Sequence, residues 1–219
     1  MSKFKVAYID ELEEDTREFQ RFADDFFEVI PIIPVGDLDA LLALIIENHV
    51  DAVVVDHNLI EYDTTHTINY EGNDVVDKIL ETYNDFPVFV LTSYDEEAID
   101  KNEDAKIVFE KKIMFASQEQ EDAFEAGIKF KKLIFKQIEK YRSRVADWEK
   151  TLLELIEKGQ KEKLDADEEV EVIRLDSLIE KALDKRIAVP DKIKKDIEED
   201  KLGNLLKKVD ELSQKLGKK

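Results

Sequence analysis

Four short apolar runs, each closing on charged or hydroxyl-bearing residues, set the strongest limit on how this chain can fold. They are Lys5-Val-Ala-Tyr-Ile-Asp10-Glu11, Asp51-Ala-Val-Val-Val-Asp56, Phe86-Pro-Val-Phe-Val-Leu-Thr92-Ser93 and Lys106-Ile-Val-Phe-Glu-Lys111-Lys112. Such runs read as strands buried on both faces, as in a parallel sheet covered by helices. They predict strands over 4–9, 51–55, 87–92 and 106–110. A fifth strand, nearer the edge, is expected over Phe27 to Ile33, ending at Pro34. The stretches between them carry helical spacing. Residues 12–25 place Leu12, Phe19, Phe22 and Phe26 at roughly one face. Residues 38–48, opened by Asp37 as N-cap, do so with Leu38, Leu41, Leu42, Ile45 and Ile46. Residues 73–83 use Val75, Val76, Ile79 and Leu80, and 95–104 form a weak, very acidic helix. Repeated strand-then-helix units predict a five-stranded parallel α/β sheet, doubly wound by right-handed crossovers.

From about Gln118 the pattern changes. Residues 118–158 hold no Pro, a single Gly (Gly127), and many Glu, Lys, Leu and Ile, so one long helix is expected, stopped by Gly159. Its proximal half, with Phe124, Ile128 and Phe135, serves as the sheet's last covering helix. Its distal half lines up Tyr141, Val145, Trp148, Leu152 and Leu155 at coiled-coil-like spacing. Asp165-Ala-Asp-Glu168 has the form of a capping box. The helix it opens runs to about Lys185, with Val170, Ile173, Leu178, Ile179 and Leu183 apolar, before Pro190 breaks it. A last amphipathic helix is expected over 201–216, through Leu202, Leu205, Leu206, Val209, Leu212 and Leu216. The domain division is therefore 1–136, its last helix continuing to about 158, and a helical extension over 137–219. Three striped helices make a small antiparallel three-helix bundle by folding back within one chain, and leftover surface allows a homodimer.

Charge excludes one class of partner. Residues 1–125 hold 9 Lys+Arg against 32 Asp+Glu, a net −23, and residues 126–219 hold 24 against 21. Neither part carries the basic footprint of a nucleic-acid-binding domain. The chain has no cysteine, so thiolate metal sites and disulfides are out. No apolar run approaches membrane-spanning length and no signal-peptide pattern opens the sequence, so a cytoplasmic protein without membrane contact is expected.

The strand ends carry the chemistry. Laid side by side, they bring Asp10, Glu11, Asp56, Thr92 and Lys111 to the carboxyl edge of the sheet, where open α/β sheets place their ligands. Carboxylates hold a hard divalent cation, while a hydroxyl and an ammonium cover phosphate oxygens. A carboxylate attacks an anionic phosphoryl donor poorly unless cations neutralise the charge between them. Each residue also has a plain structural role open to it. Asp10 and Glu11 suit a helix start, Asp56 a turn, Thr92 a cap, and Lys111 a surface pair with Glu110. Their coincidence at equivalent strand ends is what favours a site. His49, His57 and His66 have no metal-ligand spacing and read as surface or loop residues.

Residues 3–136 resemble the receiver domain of two-component response regulators, which has a flavodoxin-like fold. The resemblance rests on Asp10-Glu11 after the first strand, Asp56 after the third, Leu91-Thr92-Ser93 after the fourth and Lys111 after the fifth. It implies Asp56 as phosphoacceptor. Mg²⁺ would be held by Glu11, Asp56 and the Asn58 backbone carbonyl, with Asp10 acting through a metal-bound water. Thr92 would bind the phosphoryl oxygen and Lys111 the phosphate. It further implies phosphorylation by a histidine kinase or phosphotransfer protein, with no enzyme activity beyond Mg²⁺-dependent self-phosphorylation and self-dephosphorylation. The helical extension would then be a non-DNA-binding output or dimerisation module. Alternatives are a phosphate sink without output and a pseudo-receiver scaffold acting by protein binding. A hydrolase with an aspartate nucleophile would need a second general acid, for which His57 is the nearby residue. The chain departs from the family pattern in three places. Gly72 comes sixteen positions after Asp56, leaving a long loop that borders the site. Lys112 stands where a proline is usual, and competes with Lys111 for the role of site lysine. Phe109 takes the place of the family's aromatic switch only in the Lys112 register.

Overall fold

The computed structural model of the chain describes residues 3–60, 68–93, 108–180 and 182. Five parallel strands, β1 Phe4–Ile9, β2 Phe27–Ile32, β3 Ala52–Asp56, β4 Val88–Thr92 and β5 Val108–Glu110, form one sheet in the order β2-β1-β3-β4-β5. Helices α1 Glu13–Ala23, α2 Leu38–Glu47 and α3 Gly72–Thr82 alternate with the strands. A 3₁₀ turn, Lys111–Met114, follows β5, and helices α4 Glu121–Lys161 and α5 Ala166–Glu180 come last. This is the flavodoxin-like α/β sheet with a helical extension that the sequence pattern predicts. The acidic segment 95–104, the start of the expected fifth strand and the segment 201–216 lie outside the described residues.

Burial follows position in the sheet. All five residues of β3 and of β4 are buried, as continuous apolar central strands require. β2 is an edge strand and carries Pro31 in register with Tyr8 of β1. An edge tolerates proline because its missing N–H can face away from the ladder. One face of the sheet packs Val6, Tyr8, Val54, Phe89 and Leu91 against Phe19 of α1 and Phe130, Ile134 and Ile138 of α4. By alternation, Ala7, Ile9, Val53, Val55 and Val90 occupy the other face, on which α3 packs.

The long helix departs from expectation in two ways. The buried residues that cover the sheet are Phe130, Ile134 and Ile138, while on the expected face Phe124 and Ile128 are half-buried and Phe135, though largely exposed, sets its ring 5.1 Å from that of Phe4 on β1. Gly127 fixes this choice of face. A Cβ added there would lie 2.9 Å from the Phe22 ring and 3.1 Å from the Ile113 carbonyl, so the helix turns its glycine to the closest approach. Nor does Gly159 stop the helix, which continues to Lys161. A single glycine costs a helix only about 1 kcal/mol, and Leu164 lies over this one.

The chain divides into two compact units, Met1–Arg144 with Lys181–Leu183 and Val145–Glu180 with Asp184–Lys219, so the sheet unit runs eight residues past 136. The eight extra residues are held by the sheet unit's own contacts. The Tyr141 ring meets Phe86 edge-on at 5.4 Å. Arg142 Nε donates to Asp51 at 3.0 Å and lies over the Phe4 ring, and Arg144 pairs with Asp85. Tyr141 thus belongs to the sheet unit and not to the distal seam. Within the second unit, Leu152 and Ile156 of α4 pack with Val172, Leu175 and Ile179 of α5, flanked by Trp148, Leu155 and Leu164. Of the expected α5 stripe, Ile179 is buried, Val170 and Ile173 are 56% and 41% exposed, and Leu183 lies outside the described residues. The capping box forms as predicted. Glu168 N–H donates to Asp165 Oδ1 at 2.9 Å, and Asp165 N–H to Glu168 Oε2 at 3.1 Å. Two helices of the expected three-helix bundle are therefore described, and the third falls outside the described residues.

Candidate functional site

The strand order reverses direction between β1 and β3, and the carboxyl ends of those two strands form the crevice where such sheets bind ligands. Ile9 and Val55 are in register, so Asp10 and Asp56 follow at neighbouring positions. Both acids are buried. Each spends one oxygen on a local turn. Asp10 Oδ1 accepts from Leu12 N–H at 2.8 Å, and Asp56 Oδ2 accepts from Asn58 N–H at 2.9 Å. Each turns its other oxygen to the same ammonium: Lys111 Nζ is 2.8 Å from Asp10 Oδ2 and 2.9 Å from Asp56 Oδ1. Asp10 Oδ2 also accepts from the Tyr8 hydroxyl at 2.7 Å. The turn role and the site role thus share one side chain.

Lys111 reaches the cluster because the chain tightens into a 3₁₀ turn straight after β5. Lys112, one residue on, is 63% exposed and pairs with Glu110, so the structure places Lys111 and not Lys112 at the site. Phe109, in this register, packs on Phe130 with ring centroids 4.5 Å apart and belongs to the core. Thr92 is buried at the end of β4, one position beyond Leu91, which is in register with Asp56. Asn58 touches Asp56 through its N–H. Gly72 closes the long loop onto the site. Its N–H donates to the His57 carbonyl at 2.8 Å, and a Cβ there would sit 2.2 Å from the Asp56 carbonyl oxygen. The loop's return is anchored by buried Ile68 and Tyr70. His49 is exposed, while His57 is half-buried with its Nδ1 buried and without a hydrogen-bond partner. His66 lies outside the described residues.

Two members of the cluster escape the sequence pattern. Asp15, in the first turn of α1, places Oδ2 2.5 Å from Lys111 Nζ, and Tyr8 supplies the hydroxyl on Asp10. The available signals were spacing alone: Asp15 is one helical turn past Glu11, and Tyr8 shares a strand face with Asp10.

The electrostatics are those of crowded acids around one cation. Burial pushes the Glu11 carboxyl up to about 7, with Asp10 and Asp56 adding to the rise. Burial also raises Asp56 against the opposing pull of Lys111. Burial by itself would lower the Lys111 ammonium, but the carboxylates of Asp56 and Asp10 outweigh it and hold it above the usual lysine range. Glu11 Oε2 is buried and has no hydrogen-bond partner. Among the described residues no three carboxylate or histidine groups already converge as a metal cage. The donor chemistry nevertheless fits a hard cation, since an orphaned buried carboxylate oxygen stands among two further buried carboxylates.

Comparison with protein-family models and with curated proteins gives no match. Among solved structures, one described as a yeast Spc42 trimeric coiled-coil segment fused to another structure is similar over 68% of this chain and 97% of its own, at 14% identity and TM-score 0.41. A similarity of that size bears on neither fold nor function. Among the described residues no helix is long and apolar enough to cross a membrane.

Proposed function

We propose that the chain is a receiver-like signalling protein that accepts a phosphoryl group on Asp56. One observation carries the reading: a buried aspartate at the topological switch point shares a buried lysine with a second buried aspartate, and Thr92 closes the adjacent strand. An Asp56 carboxylate oxygen attacks the phosphorus of a small or protein-borne phosphoryl donor. A new P–O bond forms as the donor's leaving group departs with its electron pair. Lys111 and Thr92 are the groups that would come to hold the phosphoryl oxygens. Glu11, Asp56 and the Asn58 carbonyl would hold Mg²⁺, with Asp10 behind a bound water. The cation would supply charge neutralisation between carboxylate and donor. The donor in this reading is a histidine kinase or phosphotransfer protein, and the helical extension is the output or dimerisation module. The resemblance is the ground for both.

Wild-type protein given a small phosphodonor and Mg²⁺ is expected to shift on a phosphate-affinity gel, and Asp56→Asn is not. A shift that persists in the Asn variant would move the acceptor elsewhere and remove the central claim. One observation favours the scaffold alternative: Lys111 already neutralises the acids internally. An unshifted wild-type protein that binds Mg²⁺ no better than Glu11→Gln supports that second reading.

A further inference from the structure

A lysine ammonium has three N–H donors. Lys111 has three acceptors within hydrogen-bond reach: Asp10 Oδ2 at 2.8 Å, Asp15 Oδ2 at 2.5 Å and Asp56 Oδ1 at 2.9 Å. With all three engaged, no donor is left for a phosphoryl oxygen, so the arrival of one requires an exchange. Asp10 is the least free to give way. It is fully buried and is also held by Leu12 N–H and the Tyr8 hydroxyl. Asp56 is the acceptor itself. Asp15 differs from both. Its side chain is 19% exposed, it sits in the first turn of α1, and among the described residues Lys111 is its side-chain polar partner. Water can therefore replace the lysine on Asp15 at little cost, which it cannot do at Asp10.

We propose that Asp15 is a positioning residue: it competes with the phosphoryl group for Lys111 and releases the lysine when Asp56 is phosphorylated. The proposal rests on the phosphoacceptor reading above. It adds a consequence for α1, whose first turn is tied to the turn after β5 only in the unphosphorylated protein.

The test compares full-length wild type, Asp15→Asn, Asp15→Ala and the neighbouring control Glu14→Gln, all treated with a small phosphodonor in Mg²⁺. Phosphoprotein lifetime is read on phosphate-affinity gels, and the Lys111 Nζ resonance is followed by ¹⁵N NMR in EDTA without phosphodonor. Both Asp15 variants are expected to lengthen the lifetime by about two- to fivefold, the size of one partly exposed ion pair. They should also shift the Lys111 resonance, whereas Glu14→Gln does neither. An unchanged or shortened lifetime in both Asp15 variants, with wild type still phosphorylated, overturns the proposal and leaves the phosphoacceptor reading standing. An equal gain in Glu14→Gln reduces the effect to net charge and overturns it too. No phosphorylation of wild type removes the reading and the proposal together.

Discussion

Asp10 and Asp56 each divide their two oxygens between a turn and a lysine, and that division explains why burying them is tolerable. A buried carboxylate without partners costs several kcal/mol, and here every oxygen of the pair is bonded. Glu11 is the exception, with one buried oxygen unpartnered and its carboxyl raised from 4.5 to about 7. Because the native state keeps this proton to higher pH than the unfolded chain, it binds more protons between those two values. Stability from this group therefore falls as pH rises from about 4.5 to about 7. Glu11→Gln should flatten that part of the profile and make the protein more stable than wild type at pH 8 in EDTA. Urea midpoints at pH 5 and pH 8 check this. A variant whose midpoints track wild type at both would show that Glu11 is not strained. Millimolar Mg²⁺ should erase the advantage at pH 8 if Glu11 is a ligand.

Elements bring these side chains together through two close approaches that need glycine. At Gly72 the obstacle to a side chain is backbone, 2.2 Å away at Asp56, so neither β3 nor the start of α3 can yield without moving the site. Gly72→Ala is expected to cost about 1–3 kcal/mol, the usual range for overpacking. It should also slow phosphorylation of Asp56 more than its lost stability accounts for. Chemical denaturation alongside gel-shift rates measures both, and a rate equal to wild type would mean that the loop's return does not position Asp56. The residues of α4 divide between the two units. Gly127, Phe130, Ile134, Ile138 and Tyr141 belong to the sheet unit, and Trp148 and Leu152 belong to the α4–α5 core.

At the scale of the whole chain, the sheet unit extends past 136 to Arg144, because Ile138, Tyr141, Arg142 and Arg144 all pack on it. A chain ending at 144 should fold cooperatively, and one ending at 136 should be several kcal/mol less stable. Loss of buried Ile138 alone is worth about 2–5 kcal/mol. Thermal unfolding of the two truncations decides this, and equal midpoints would return the boundary to 136.

The sequence by itself determined the sheet and the positions of its acids. Buried parallel strands must be continuously apolar, and the residue that ends each run must lie at the carboxyl edge, so Asp10, Asp56 and Thr92, and a lysine at 111 or 112, were legible from pattern alone. The capping box Asp165/Glu168 was legible for a similar reason, since its hydrogen bonds join residues three apart. Only the tertiary structure decided which of Lys111 and Lys112 faces the acids. A 3₁₀ turn sets that, and adjacent lysines have the same propensities. Tertiary structure alone also brought in Asp15 and Tyr8, whose roles depend on where Lys111 ends. It likewise fixed which apolar stripe of α4 and of α5 is buried. Val170 and Ile173 are as apolar as Val172 and Leu175, and hydrophobicity cannot choose between faces of a helix until a neighbour covers one of them.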